Sequence, residues 1–511
     1  MKSRTLPWFT AITLFAALAI PIQLAAQGRT TNFRHYKLVD IGTFGGPESN
    51  TILAVNAGPI ISQRGTTVGT SATSVPTSKH SHPFVCGGVD GVVPFVFHGF
   101  KWHDGAVTDL GALPPVAHNC SEAQGVNQRE EIALNSENGI IDPLTGIDEI
   151  RGIRWKDGKI EDLGTFGGNN SLANQINGRG QIAGAASNTN PDPFSIYYFL
   201  FLGSSNGTQT RAFLWENGHK RDLGTLGSGN DAMATFVNER GEVAGSSYTD
   251  ASPNPTTGFP TLDPFLWTKD KGMIDLGTLG GTLGGPNALN NRDQVIGSSN
   301  LAGDQITDPF LWDDGNLIDL FTQSGGVIVA ANAINDAGEI VGVECLPSGV
   351  CDAYLWKNGT ITDLGVLPGD SFSQAFAINA RGQVVGQSFT RAFLWENGSM
   401  VDLNSLIPSN SNLHLLEAQA INDRGEIAGD AFPPGCNVDD QCVHAFVLIP
   451  VCADGTEGCA DAPLDPAVVA RSRAASGTAP KTMTAEELAT FKQRMARMEV
   501  RNRGFGVWPR R

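Results

Sequence analysis

The chain has 511 residues, with 35 Lys and Arg against 52 Asp and Glu, a formal net charge of −17. An acidic balance of that size excludes a general nucleic-acid binder, which needs a basic surface. The 61 glycines, the 17% charged content and the scarcity of helical periodicity point to an all-β protein rich in tight turns.

Residues 1–26 read as a secretory signal. Lys2 and Arg4 supply the positive start, Trp8 to Leu24 the apolar stretch, and Leu24-Ala25-Ala26 a small-residue cleavage site that leaves Gln27 first. A membrane anchor is the alternative for this stretch. No second apolar run of membrane length follows, so the expectation is a secreted or periplasmic protein with no integral membrane segment once the signal is removed.

From 36 to 450 one pattern returns: A-F-L-W-x-x-G, x-D-L-G-T-L-G-G, A-x-A-I-N-x-x-G, E-I-A-G. Its tryptophans are Trp102, Trp155, Trp215, Trp267, Trp312, Trp356 and Trp395. The eighth unit is split, with Tyr36–Gly46 supplying its second strand and His444–Pro450 its first. Units of about 40 residues with four short β-runs are propeller blades. The fold class expected is therefore an all-β propeller of about eight four-stranded blades, closed by pairing of the two chain ends. Ala212-Phe213-Leu214-Trp215 is apolar at every position, as befits a strand buried on both faces. Asn217-Gly218 and Asn397-Gly398 then provide tight hairpins.

The A-F-L-W, D-L-G-T-L-G-G and A-I-N-x-x-G signatures resemble the HAF family of extracellular repeats, whose triplet stands intact at His444-Ala445-Phe446. The resemblance implies a secreted bacterial repeat protein and brings no activity with it. The first two units depart most, because Glu130 and Leu134 replace turn and strand glycines.

Eight aspartates hold the D-L-G position: Asp40, Asp109, Asp162, Asp222, Asp275, Asp319, Asp363 and Asp402. Eight asparagines are read at the I-N position: Asn56, Asn127, Asn177, Asn238, Asn290, Asn335, Asn379 and Asn422. A residue present in every unit answers a demand of every unit, so these are expected to stabilise turns rather than to act chemically. Function is expected at the interruptions. In a four-stranded meander alternate connections share an end. The Asn-Gly and Asn-x-x-Gly turns therefore lie at one end, and the long insertions, taken as links between blades, at the other.

Two insertions carry the binding candidates. His80, His82 and His118 lie near Cys86 and Cys120, a set that reads either as a transition-metal site or as a disulfide among surface histidines, with the second favoured for want of ligand spacing. The insertion 185–210 contains Tyr197, Tyr198, Phe199 and Phe201, read as an added strand packed on the core or as an aromatic recognition patch. The cysteines Cys86, Cys120, Cys345, Cys351, Cys436, Cys442, Cys452 and Cys459 include no C-x-x-C and suit disulfides in an oxidising compartment, with neighbour pairing the least strained choice.

Residues 451–481 read as a disulfide loop and Ala/Pro/Ser-rich linker. Residues 482–511 read as a basic helical tail, opened by a capping box at Thr484 and Glu487. From Ala470 onward ten positive residues face three negative ones, which makes the tail a candidate for surface association. No G-x-S-x-G, H-E-x-x-H or P-loop occurs. No catalytic residue, metal or cofactor is assigned. The function expected is a binding or scaffold module for a protein or glycan, acting through the insertion end. The alternative is a carbohydrate-active or other hydrolytic enzyme with its site at the central channel.

Overall fold

The computed structural model describes residues 33–476, apart from 52–58, 84, 87–94, 116–117, 347–348, 437–441, 453 and 457–458. The expected signal segment 1–26 and basic tail 482–511 lie outside the described residues. Four-stranded antiparallel sheets recur in chain order. Sheets 1 to 7 cover 45–109, 121–162, 167–222, 232–275, 280–319, 328–365 and 373–402. Sheet 8 takes His414–Ile421, Ile427–Phe432 and His444–Cys452 from one chain end and Arg34–Asp40 from the other. Tyr36 lies opposite Pro450 and Asp40 opposite Phe446, so the split unit is completed as its sequence pattern demands. Sheets 4 and 5 touch through one parallel pair, Leu262 with Leu283. This is the arrangement of β-propeller blades.

Packing sets a phase that the repeat alone leaves open. In sheet 3 the strands are Gly167–Ile176, Ile182–Pro191, Thr208–Glu216 and His219–Asp222. The A-x-A-I-N run therefore comes first, and from sheet 2 to sheet 8 these first strands contact one another along the inside. The D-L-G-T-L-G-G segment carries the chain from one sheet to the next. The long insertions are not links between blades, as the pattern suggested, but hairpin loops within a sheet, between its second and third strands. A cyclic pattern has no marked beginning, so only contact between sheets shows where a sheet starts. Strand alternation still puts every insertion at one end.

The E-I-A-G glycine and the A-F-L-W aromatic are complementary. A Cβ on Gly184 would lie 2.1 Å from the Leu172 carbonyl oxygen and 2.6 Å from the Phe213 ring, and one on Gly297 would lie 2.2 Å from the Gly285 oxygen and 2.5 Å from Phe310. The close approach lets Phe100, Phe213, Phe265, Phe310, Phe393 and Phe446 bury completely, each worth about 2–3 kcal/mol of hydrophobic transfer. Sheet 2 departs as a pair. Leu134 replaces the glycine, and directly opposite it Ile153 replaces the phenylalanine, so a smaller third-strand side chain makes room for the larger one. Glu130, at the turn glycine, keeps a positive φ of 59°.

The repeated asparagines fasten the turn end. Asn177 Oδ1 accepts the N–H groups of Arg179 and Gln181, both at 3.0 Å, while Nδ2 donates to Gln181 Oε1 and to the carbonyl of Asn238 in the next sheet, both at 2.8 Å. The same inter-sheet bond runs from Asn127 to Asn177, then through Asn238, Asn290, Asn335, Asn379 and Asn422. From Asn422 it returns to the carbonyl of Ser62 in sheet 1 at 2.9 Å. Asn56 is outside the described residues, and the turn position of sheet 1 belongs to Ser62, whose Oγ accepts from Arg64 and Thr66.

The D-L-G aspartates brace the other end. Asp222 Oδ1 accepts the N–H of Gly224 at 2.9 Å, as Asp162 does from Gly164 and Asp275 from Gly277. Each also faces the first position of the HAF-like triplet on the third strand. Arg211 grips Asp222 with two nitrogens at 3.0 and 3.1 Å. His98 meets Asp109, and His444 of the intact triplet meets Asp40, both at 3.0 Å through Nδ1. Burial alone would raise Asp40 and Asp109, but the imidazole bonds outweigh it and hold both carboxyls below the usual range.

The expected linker 451–481 is more ordered than its composition suggests. After the Cys452–Cys459 disulfide the chain forms an α-helix, Pro466–Ser476, packed against the last strand of sheet 7. Leu464 and Val468 join a core with Tyr36, Val401 and Leu403. Arg34 is buried between the two chain ends, paired with Glu396 and donating to the Ala460 carbonyl at 3.0 Å.

Candidate functional site

The insertion end is where the eight sheets differ, and it is the candidate site. Three disulfides staple it: Cys86–Cys120 joins the sheet 1 insertion to the segment entering sheet 2, while Cys345–Cys351 and Cys436–Cys442 close the insertions of sheets 6 and 8. All eight cysteines therefore pair with their neighbours, and four disulfides suit an oxidising compartment.

The aromatic insertion of sheet 3 forms neither a strand nor an open patch. Ile196–Phe201 is a π-helical turn, and Ile196, Tyr197 and Tyr198 enter a core cluster with Cys86, Cys120, Met233, Tyr248 and Phe259. A run apolar on all sides is compatible with strand or buried helix, and here the short loop closes on itself over neighbouring sheets. Tyr198 donates to Asp142 Oδ2 at 2.9 Å and accepts from Asn170 Nδ2 at 2.9 Å. Tyr197 Oη is 2.8 Å from His82 Nε2. Asp231 Oδ1 fastens the base of the turn by accepting from Ile196 at 2.9 Å and Thr210 at 2.8 Å. Burial first, and then the neighbouring Asp192, push the Asp231 carboxyl well above its ordinary value.

Burial therefore corrects three candidates. Tyr197, Tyr198 and His82 are 3%, 0% and 1% exposed, and belong to a plug rather than to a recognition surface. His82 is held down to about 3 by burial and is neutral at physiological pH. Phe199 and Phe201 remain partly exposed on the same turn, and His118 is exposed. His80 is half-buried, with Nδ1 3.0 Å from the Gly146 carbonyl oxygen. His80 and His82 thus go to separate partners. Among the described residues the one compact cluster of metal-ligating types is Cys86, Cys120 and Glu137, but its sulfurs are spent on a disulfide. Glu137 accepts from the backbone of Cys120 at 2.7 Å and of His82; burial raises it to about 7 against those bonds.

Sequence reasoning missed the charged hollow at the turn end. A cavity of about 290 Å³ between sheets 2 and 3 is lined by Arg129, Glu131, Arg154, Lys156, Arg179 and Trp215 among others. Glu131 takes Arg154 at 2.7 Å and Lys156 at 2.8 Å. Burial would raise its carboxyl, but the bonds from Lys156, Asn127 and Arg154 outweigh that and bring it down to about 2. The signal was the recurrent Arg of the Asn-x-Arg turn, whose side chain lies over the turn glycine of the next sheet: Arg129 over Gly180, Arg179 over Gly241.

Comparison with known proteins adds little to this geometry. No family model matches the chain, and no curated protein matches it. Among solved structures it is similar to the acylaminoacyl peptidase of Pyrococcus horikoshii, at 10% identity over 67% of this chain and 54% of the peptidase, with a TM-score of 0.33. It thus spans about half the length of that enzyme. It is also similar to the β-propeller domain of the Trilobed protease from Pyrococcus furiosus, at 10% identity over 73% of this chain and 95% of the domain, with a TM-score of 0.35. A putative TolB from Agrobacterium tumefaciens matches at 12% identity over 68% of this chain and 95% of its own, with a TM-score of 0.30. At such scores no activity is transferred, and the fold rests on the sheets themselves.

Proposed function

We propose that the chain is an exported binding or scaffold module that holds a protein or glycan at its insertion end. The observation that carries this is the placement of exposed apolar side chains. Of the six large hydrophobics exposed among the described residues, Ile140, Ile141, Ile306, Val329 and Leu346 lie at the insertion end, and Val107 alone lies elsewhere. Exposed apolar groups gathered on one side of a soluble fold mark an interaction surface. Disulfides hold this surface in shape, which lowers the ordering cost of binding. Export is supported by the signal-like residues 1–26 together with the four disulfides, and the HAF-like repeats fit an extracellular protein. The hydrolase alternative calls for an accessible, unrepeated acid near the channel, whereas Asp231 is fully buried.

The test is a glycan array together with capture of secreted and surface proteins, run in parallel with the chain carrying Ile140→Asp, Ile306→Asp and Leu346→Asp. Interactions lost in the variant with unchanged thermal unfolding support the reading. Interactions that all survive the three substitutions overturn it.

A further inference from the structure

Charge is unevenly spread around the insertion end. In five sheets the D-L-G aspartate faces a cation on the third strand: His98, Arg151, Arg211, Arg391 or His444. Sheets 4, 5 and 6, which follow one another, carry Asp263, Asp308 and Asp352 at that register, facing Asp275, Asp319 and Asp363. Asp250, Asp304 and Glu344 belong to the same end. The cations between 245 and 365 are Lys269, Lys271, Arg292 and Lys357, each in or beside a hairpin at the turn end. Within that range the insertion end therefore holds nine carboxylates and neither Lys, Arg nor His. Apolar groups stand among them: Ile306, Leu346 and Val329, on sheets 5 and 6, are 59%, 42% and 40% exposed. An acidic surface set with exposed apolar side chains is complementary to a segment both basic and amphipathic.

The chain carries such a segment itself. Beyond the helix Pro466–Ser476, which packs on the last strand of sheet 7, residues 477–511 hold eight positive charges against three negative. They lie outside the described residues, and their sequence supplies the pattern. Thr484 and Glu487 form a capping box, and Leu488, Phe491, Met495 and Met498 recur at helical spacing. Lys492, Arg494, Arg497 and Arg501 flank that apolar stripe. The connection 477–483 spans at most about 25 Å even when extended. It therefore keeps the segment close to sheet 7 and its neighbours, and sheet 6 is one of these.

We infer that residues 484–500 dock as a basic amphipathic helix on the insertion end of sheets 5 and 6 of the same chain. The apolar stripe covers Ile306, Val329 and Leu346, and the flanking cations meet the carboxylates around them. Docking gives these sheets the positive partners that His and Arg side chains give their sisters. It also occupies part of the surface proposed above for ligands, so an outside ligand at sheets 5 and 6 has to displace the tail. The inference rests on the reading of the insertion end as an interaction surface.

The test is zero-length carbodiimide cross-linking of the full chain, with the joined peptides mapped by mass spectrometry. Lys481 and Lys492 are expected to link to Asp275, Asp304, Asp319 or Asp363 within monomeric protein. The yield should fall about tenfold in Arg494→Glu/Arg497→Glu/Arg501→Glu, and again at about 1 M NaCl, where the Debye length is about 3 Å. Phe491→Ser/Met495→Ser should lower it as well, with thermal unfolding of the sheets unchanged. The inference is overturned if no such links form, or if they fall on turn-end carboxylates such as Asp336 and Asp423. Links that join two chains overturn it too, by making the occupant a second copy. So does flotation of the chain with phosphatidylglycerol vesicles in place of these links, which would assign the tail to a membrane surface. Capture of outside ligands without tail links sinks the tail alone, whereas tail links without any outside ligand sink only the ligand-holding role of that end.

Discussion

The two ends of the sheets use the same chemistry for different ends. At the turn end an Asn in each of sheets 2 to 8 makes one repeated set of bonds, Ser62 in sheet 1 accepts the corresponding two N–H groups, and the link from Asn422 to Ser62 returns the series to sheet 1. At the insertion end the loops follow no common rule and are held by disulfides, by a buried turn around Tyr197 and Tyr198, and by carboxylate networks. Repetition distributes stability, while departure from repetition leaves surface free to vary. If this division is right, substitutions at the turn end should cost stability in any sheet, and substitutions at the insertion end should divide into staples and ligand contacts.

The largest effect is expected from the staple itself. Replacing Cys86 and Cys120 by Ser opens a loop with a sequence separation of 34 and should cost about 3.5 kcal/mol in a denaturant titration under non-reducing conditions. A cost near zero would show that the insertion end is held by packing alone. Asn290→Ala comes next. It removes bonds to two backbone N–H groups, to Gln294 and to the Asn335 carbonyl, and about 3 kcal/mol is expected for buried groups left unpaired. Equal losses from Asn177→Ala and Asn379→Ala would sharpen the claim that this end is uniform. Tyr198→Phe should cost about 1–2 kcal/mol, because Asp142 and Asn170 lose a shared buried partner.

A smaller dependence on pH should mark the carboxylate sheets. Asp263, Glu344 and Asp352 stand at about 7 when folded, against about 4 in an unfolded chain. The folded state therefore binds more protons between those values. Their contribution is present below pH 4 and is lost as pH rises through 7. His82, held at about 3 by burial, acts in the opposite sense below pH 6.5. The Tm difference between pH 5.5 and 8 should accordingly shrink in Asp263→Arg/Asp352→Arg, and an unchanged difference would remove these groups as its source. Smallest of all, Ile140→Asp and Ile306→Asp should move stability by no more than about 0.5 kcal/mol. A larger loss would mean that these side chains serve the core rather than a ligand.

Much of the framework was legible because its causes are local. Asn-Gly turns require positive φ, an apolar four-residue run requires burial on both faces, and a glycine in the second strand of every sheet but sheet 2 signals close approach of the backbone. Neighbouring cysteines pair as the chain order suggests. The helix at Pro466–Ser476 could also have been read, since Asp465 caps it with a bond to the Ala467 N–H at 2.7 Å and Pro466 holds the first position, yet its Ala/Pro/Ser-rich surroundings masked the signal. The candidate site was legible only as a location. His82 and Tyr197 are more than 100 residues apart, and nothing in either local segment indicates that each buries the other.

What the sequence determined by itself was the repeating sheet, its turns and the end at which the insertions gather, because strand alternation and turn chemistry act over a few residues. Only the tertiary structure decided which strand lies inside, that Ser62 stands in for an asparagine, that the aromatic insertion is a plug, and that two buried aspartates face other carboxylates without a cation. Those outcomes depend on contacts between sheets and between distant loops, and a periodic pattern is the same wherever it is cut.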